Sequence, residues 1–185
     1  MIARLLGTLA LGLSAIASAQ ASDWETDAAN STLGFVGSAQ GEDFSGQFGA
    51  FDALIRFDPE ALEASRFEVD IDLRSADTQN AERDETLQGS AFFRTRREPM
   101  ARYVAESFRA LEDGRFAADG ELTLRGVTQP VTLEFSFAEG KPTVLEGEAT
   151  LDRTQFDVGG GDWASDSDIR HVVRVVTRLE LARGE

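Results

Sequence analysis

Residues 67–74 read Phe-Glu-Val-Asp-Ile-Asp-Leu-Arg, so Phe67, Val69, Ile71 and Leu73 fall on one side and charged residues on the other. A period of two puts successive side chains on opposite faces of an extended chain, so this stretch predicts a strand with one dry face and one wet face. The same alternation recurs at Leu33 and Phe35; at Phe51, Ala53, Ile55 and Phe57; at Phe116, Ala118, Leu122 and Leu124; at Val131, Leu133, Phe135 and Phe137; and at Val173, Val175, Leu179 and Leu181. Turn formers separate the runs: Asp58-Pro59, Asp113-Gly114, Gly140-Lys141-Pro142 and Gly159-Gly160-Gly161. Gly46, Gly49 and a switch of apolar parity between Phe48 and Phe51 predict a bulge or sharp bend in a long strand. Residues 78–88 do not alternate; they open acidic and contain good helix formers, which predicts one short inserted helix. Arg125 to Pro130 is expected to be the turn of an antiparallel pair, with Gly126 free to take a positive φ.

Strands of this number, separated by turns, describe a sandwich or a closed barrel. Closure is favoured because it removes exposed sheet edges, and thirteen Phe against one Tyr make the inner faces bulky and apolar. The expected fold class is all-β, a single antiparallel barrel with one short helix. No repeat, linker or low-complexity tract divides the 185 residues.

The first residues are read differently. Arg4, the apolar run at residues 5–16 and Ala17-Ser18-Ala19 have the form of a secretory leader, too short to span a bilayer. Residues 1–19 are expected to be a cleaved signal peptide and 20–185 the working domain, periplasmic or secreted. Charge adds an exclusion: 18 basic against 33 acidic residues give −15, which disfavours nucleic acid and anionic lipid surfaces. The absence of cysteine removes disulfides, covalent haem attachment and thiol catalysis from consideration.

Gly120-Glu121-Leu122-Thr123-Leu124-Arg125-Gly126-Val127-Thr128, followed by Pro130-Val131, resembles the G-x-L-T-x-x-G-V-T signature of the YceI-like family. Further motifs agree in order and spacing: Gly46-x-Phe48 leading to Phe57-Asp58-Pro59; Ser75 and Thr78; Arg83-Asp84 with Leu87; Phe92-Phe93; Pro99 with Ala101 and Tyr103; Arg153-Thr154 with Phe156. The resemblance implies an elongated, lipocalin-like barrel whose apolar tunnel holds, in relatives, a polyisoprenoid or another long amphiphile. It also implies export and a connection with membrane b-type cytochromes, hence an isoprenoid quinone as a ligand class. The chain departs from many relatives in carrying Asn30 and Ser38-Ala39 where they have His and Lys-His, and Arg94-Thr95-Arg96-Arg97-Glu98-Pro99 after the Phe pair.

The candidate site is the inward rows: Leu33, Phe35, Phe51, Ile55, Phe67, Val69, Ile71, Leu122, Leu124, Val131, Leu133, Phe135, Val173 and Val175, with Tyr103, Phe156 and Trp163 as mouth or end contacts. Patterning alone describes a packed core equally well; the resemblance turns the reading toward a tunnel. At ~0.8 kcal/mol per buried CH2, a ten-carbon stretch supplies roughly 8 kcal/mol against association costs of about 4 kcal/mol or more. Arg94, Arg96 and Arg97 are the only dense basic cluster, suited to a carboxylate, phosphate or quinone oxygen, or else a solvated loop.

Other constellations are weaker. Asp162, Asp166 and Asp168 fit no EF-hand spacing and are read as a mouth loop with Trp163 as its apolar plug. His171 is the only histidine, expected on a strand with a satisfied hydrogen bond. Asp70 and Asp72 stand on the outer face of their strand and are expected to be solvated. No catalytic group, metal or cofactor is expected beyond a bound lipid. The expected function is a lipid carrier. Its rival is a filled barrel serving as an accessory or interaction module of a membrane b-type cytochrome. A homodimer is open under either reading.

Overall fold

The computed structural model describes residues 21–184; the leader expected at residues 1–19 lies outside the described residues. Each alternating run forms a strand, and α1 (Ala81–Gln88) is the one α-helix among the described residues. The strands are β1 (Ser22–Thr26), β2 (Thr32–Ala39), β3 (Glu42–Phe48), β4 (Phe51–Phe57), β5 (Arg66–Asp72) and β6 (Ala76–Asp77). After the helix come β7 (Met100–Ala110), β8 (Phe116–Leu124), β9 (Val127–Ala138), β10 (Thr143–Asp152) and β11 (Val172–Arg183). All pairings are antiparallel. The order β1-β4-β5-β7-β8-β9-β10-β11, with β1 also paired to β11, closes an eight-stranded barrel.

β2, β3 and β6 lengthen this barrel on one side. β1 and β2 lie one after the other along β11, Trp24 to Thr26 opposite Arg183 to Leu181 and Thr32 to Val36 opposite Arg178 to Arg174. β3 and β4 are likewise two halves of one bent strand, the first against β2 and the second against β1. The bend falls at Gly49-Ala50, where Gly49 N donates to the Ser75 carbonyl at 3.1 Å and Ala50 N to Ser75 Oγ at 3.0 Å. The parity switch read between Phe48 and Phe51 is this break.

Two boundaries differ from expectation. The β8–β9 turn is only Arg125-Gly126, at φ 57° and 79°, since Leu124 already pairs with Val127; two residues with positive φ match the twist of the flanking strands. Val127 to Pro130 belong to β9, and Pro130 sits where β10 no longer runs beside that strand. The helix starts at Ala81 and not at residue 78, because Asn80 caps it, Oδ1 accepting from Arg83 N at 3.0 Å. Thr78 is held in front of it by Asp84, which accepts from the Thr78 hydroxyl at 2.6 Å.

The barrel interior is not uniform along its length. At the lower end, where β4 finishes and β7 turns into β8, Trp24, Phe57, Phe67, Phe108, Phe116, Phe135 and Phe137 pack as edge-on or tilted rings. Trp24 Nε1 donates to the Phe57 carbonyl at 3.0 Å, so the one polar atom of that indole is satisfied. The upper end is covered by α1 and by the loops at residues 89–99 and 153–171.

Candidate functional site

Above the aromatic packing lies a cavity of about 190 Å³ with an almost wholly apolar lining. The inward rows of the barrel bound it, because period-two strands curved into a closed sheet present one face to the interior. Of the residues expected from sequence, Leu33, Phe35, Phe51, Ile55, Phe67, Val69, Ile71, Tyr103, Leu122, Leu124, Val131, Leu133, Phe156, Val173 and Val175 line it.

Two expected residues do not. Phe135 is fully buried, but it lies one inward step below Leu133 and packs against Phe57, Phe67 and Phe116, so it belongs to the filled lower end. Trp163 is 42% exposed and lies on the outside of the upper loops, its ring 5.6 Å from that of Phe92. It covers the loop that Phe92 plugs from within.

The three arginines expected as possible headgroup contacts lie outside the cavity lining. Arg94 lies in a left-handed turn at φ 56° and is half-buried; Nη2 donates to the Arg125 carbonyl at 3.1 Å and is 3.6 Å from Glu98. Arg96 and Arg97 are exposed. None of the three lines the cavity. Arg125 donates to the carbonyls of Ser90, Ala91 and Asp157, tying the β8–β9 hairpin to both upper loops. Burial lowers its pKa, and the nearby positive charge of Arg94 lowers it further.

Arg153 is the polar residue that pattern reading missed as part of the site. It is 5% exposed and lines the upper cavity. Its Nε donates to the Arg170 carbonyl at 3.0 Å, Nη1 to Val158 and Gly159 at 2.7 and 2.8 Å, and Nη2 to Trp163 and Ile169 at 2.7 and 2.8 Å. These are all five donors of a guanidinium. The group is a spoke around which the 157–171 loop is wound, and burial pushes its pKa down. Its appearance in the Arg153-Thr154 motif was the one signal of it in the sequence.

Inside the barrel, the Tyr103 hydroxyl donates to the Ala118 carbonyl at 2.8 Å and lies 3.3 Å from that of Val131; burial pushes its pKa up. Thr177 Oγ1 donates to the Thr32 carbonyl at 3.0 Å. The cavity therefore has few polar side chains, and these three are already bonded to backbone. Phe44, Phe48, Leu87, Phe92, Phe93 and Ile169 complete the upper lining; most sit in segments without a strand period, which is why patterning did not point to them. Gly37, Ser38 and Arg170 lie at the upper limit, where the 157–171 loop is strapped to β2 by Gln40 N to Asp168 O at 2.8 Å and Arg170 N to Ser38 O at 2.9 Å.

The remaining candidates are accounted for by local bonding. Asp166 accepts from Arg170 Nη1 at 2.9 Å and from His171 N at 2.7 Å. His171 precedes β11 and is not part of it, because the acidic loop continues to that point; its Nε2 lies 2.8 Å from the Ala164 carbonyl. Asp70 pairs with Arg102 at 2.7 Å and Asp72 with Arg74 at 2.7 Å on the outer surface. No group of three or more His, Cys, Asp or Glu residues is placed to hold a metal among the described residues.

A closed antiparallel barrel around an apolar cavity defines a lipocalin-like architecture. Comparison with known proteins narrows it: a family model described as a YceI-like domain matches residues 24–181, and the chain belongs to the YceI-like family. A UPF0312 protein of Shewanella denitrificans is 34% identical over 137 residues, 72% of this chain and 70% of that protein. A UPF0312 protein of Yersinia pestis is 39% identical over 89 residues, 48% of this chain and 46% of that one. Among solved structures, Burkholderia cenocepacia BcnA superposes with a TM-score of 0.81 at 24% identity, covering 85% of this chain and 99% of BcnA. A polyisoprenoid binding domain from Saccharophagus degradans gives 0.64 at 15% identity over 87% of this chain and 98% of that domain. At these identities both structures speak to the fold.

Proposed function

We propose that the protein is an exported carrier that holds one long apolar amphiphile, a polyisoprenoid or an isoprenoid quinone, inside the barrel. The observation that carries this reading is the cavity. A buried water needs roughly 10–15 Å³ of such space and two to four polar partners; about 190 Å³ has room for several waters but offers almost no partners. Space of this kind favours an apolar occupant, which recovers the dispersion contacts that an unfilled cavity forfeits. The description of the Saccharophagus domain, which shares this fold, supports a polyisoprenoid as the ligand class.

Binding follows from desolvation, with the tail in the barrel and the polar end at the upper limit beside Ser38 and Arg170. The reading asks for no chemistry on the ligand, and the Tyr103 and Arg153 side chains are already committed to backbone carbonyls. The leader-like residues 1–19 and the acidic exterior suit a lipid-loaded protein in the periplasm or outside the cell. A membrane b-type cytochrome is the corresponding quinone-handling partner. The rival filled-barrel reading needs side chains to occupy the whole interior, and they do so only at the lower end.

Calorimetric titration of the delipidated protein with a short-tailed isoprenoid quinone tests the proposal. Saturable binding of one molecule per chain with a negative heat-capacity change, the mark of apolar burial, is expected. No binding at either of two temperatures would remove the carrier reading.

A further inference from the structure

The cavity lining ends part-way down several strands. On β9 it is lined by Leu133 but not by Phe135, the next inward residue; on β4 by Ile55 but not Phe57; on β11 by Leu179 but not Leu181. What ends it is the ring cluster. Phe57, with no exposed surface, has its ring centre 4.9 to 6.0 Å from those of Phe67, Phe108, Phe116, Phe135 and Phe137. Phe135 sits on the cavity side of this cluster, directly below Leu133 and 5.2 Å from Phe67, whose ring lines the cavity. The interior is a blind pocket, not a through-tunnel.

A blind pocket has a maximum depth. Along β11 the lining runs from Val173 to Leu179, about 20 Å of strand at ~3.4 Å per residue, or roughly 15 Å along the barrel axis after the usual strand tilt. From this we infer that Phe135, backed by Phe57, is the stop that sets the longest tail the protein buries. The inference rests on the carrier reading and adds a length limit and the residues that impose it. The tail enters foremost, because the lower end is occupied by packed rings while half-buried Ser38 and exposed Arg170 lie at the upper end. Any part of a tail beyond the stop stays outside, in water, and contributes no further burial. Interior close packing makes the stop a sharp one, since rings packed at crystal-like density do not yield to admit a few more methylenes.

The test uses straight-chain primary alcohols of increasing length, measured by displacement of a fluorescent apolar probe from the delipidated protein. Affinity is expected to rise about fourfold for each added methylene and then to stop rising at one length. In Phe135→Ala the break is expected to move to longer chains. Because truncating a fully buried ring can unfold the barrel, Phe135→Leu serves as a milder second variant, with near-ultraviolet circular dichroism confirming the fold of each. A rise without a break through the longest alcohol, or a break at the same length in a folded Phe135 variant, would overturn the length stop and leave the carrier reading standing. Failure of every alcohol and of the probe to bind would overturn both.

Discussion

Arg153 commits every donor it has to main-chain oxygens of one loop: Val158, Gly159, Trp163, Ile169 and Arg170. All of its hydrogen bonds go to main-chain oxygens and none to a carboxylate, so its value lies in geometry more than in ion pairing. A lysine keeps the charge but has three donors on a flexible stem, and cannot reproduce the planar fork. Arg153→Lys is therefore expected to leave buried carbonyls unpaired and to destabilise the protein by about 3 kcal/mol, read from urea denaturation, with amide exchange accelerated first in residues 157–171. A change within error would refute the keystone role. Neither the burial of this arginine nor the position of Arg94, Arg96 and Arg97 outside the cavity lining was legible from charge pattern, because density of charge in sequence carries no orientation. Arg94 is held by the Arg125 carbonyl of the β8–β9 turn, and Arg153 is fixed by five carbonyls of the loop that follows it, from Val158 to Arg170.

At the scale of elements, the strands were legible because each buries one face, and a period of two survives any tertiary context that keeps one side dry. The bend at Gly49-Ala50 and the inward rows of β5, β8, β9 and β11 follow directly from that period. The upper loops were not legible. Their positions are set by bonds between remote segments, such as Gly159 N to the Ala91 carbonyl at 2.7 Å, and no local pattern encodes them. One strand glycine bears on packing inside the barrel. Gly120 faces a bulge in β7 between Ala105 and Ser107, and a Cβ there would lie 2.5 Å from the Val104 carbonyl oxygen and 2.8 Å from both Ala105 Cβ and Tyr103 Cε2. The nearest atom is backbone and cannot swing aside, so Gly120→Ala is expected to cost about 1–3 kcal/mol. A lower urea midpoint at unchanged m-value is the expected readout; an unchanged midpoint would show that β7 gives way more easily than its bulge suggests.

The molecule as a whole is an acidic shell around a greasy interior, and the shell sets its response to pH. The Asp72 carboxyl is held below its ordinary 3.8 chiefly by Arg74, that of Asp119 by the Thr132 hydroxyl and then Arg109, and that of Asp152 chiefly by the Thr154 hydroxyl. As pH falls through 3.8, the unfolded chain takes up these protons before the folded one does. Their contribution is fully present above about pH 5 and disappears as pH drops below 3.8 toward the depressed folded values. Thermal melts are thus expected to be level from pH 7 to 5 and to fall steeply below 4, and a melting temperature that rises on acidification would contradict this. The Asp152 bonds brace the turn leading into the upper loop, so acid is expected to loosen that end of the barrel first. The cavity beneath is the feature on which the functional reading depends. Its most direct test is organic extraction of the purified protein followed by mass spectrometry of the extract. One apolar lipid, an isoprenoid or isoprenoid quinone, recovered in near-equal amount to the protein is the expected result; protein that yields no lipid, and takes none up when membrane lipid extract is offered, would contradict the account.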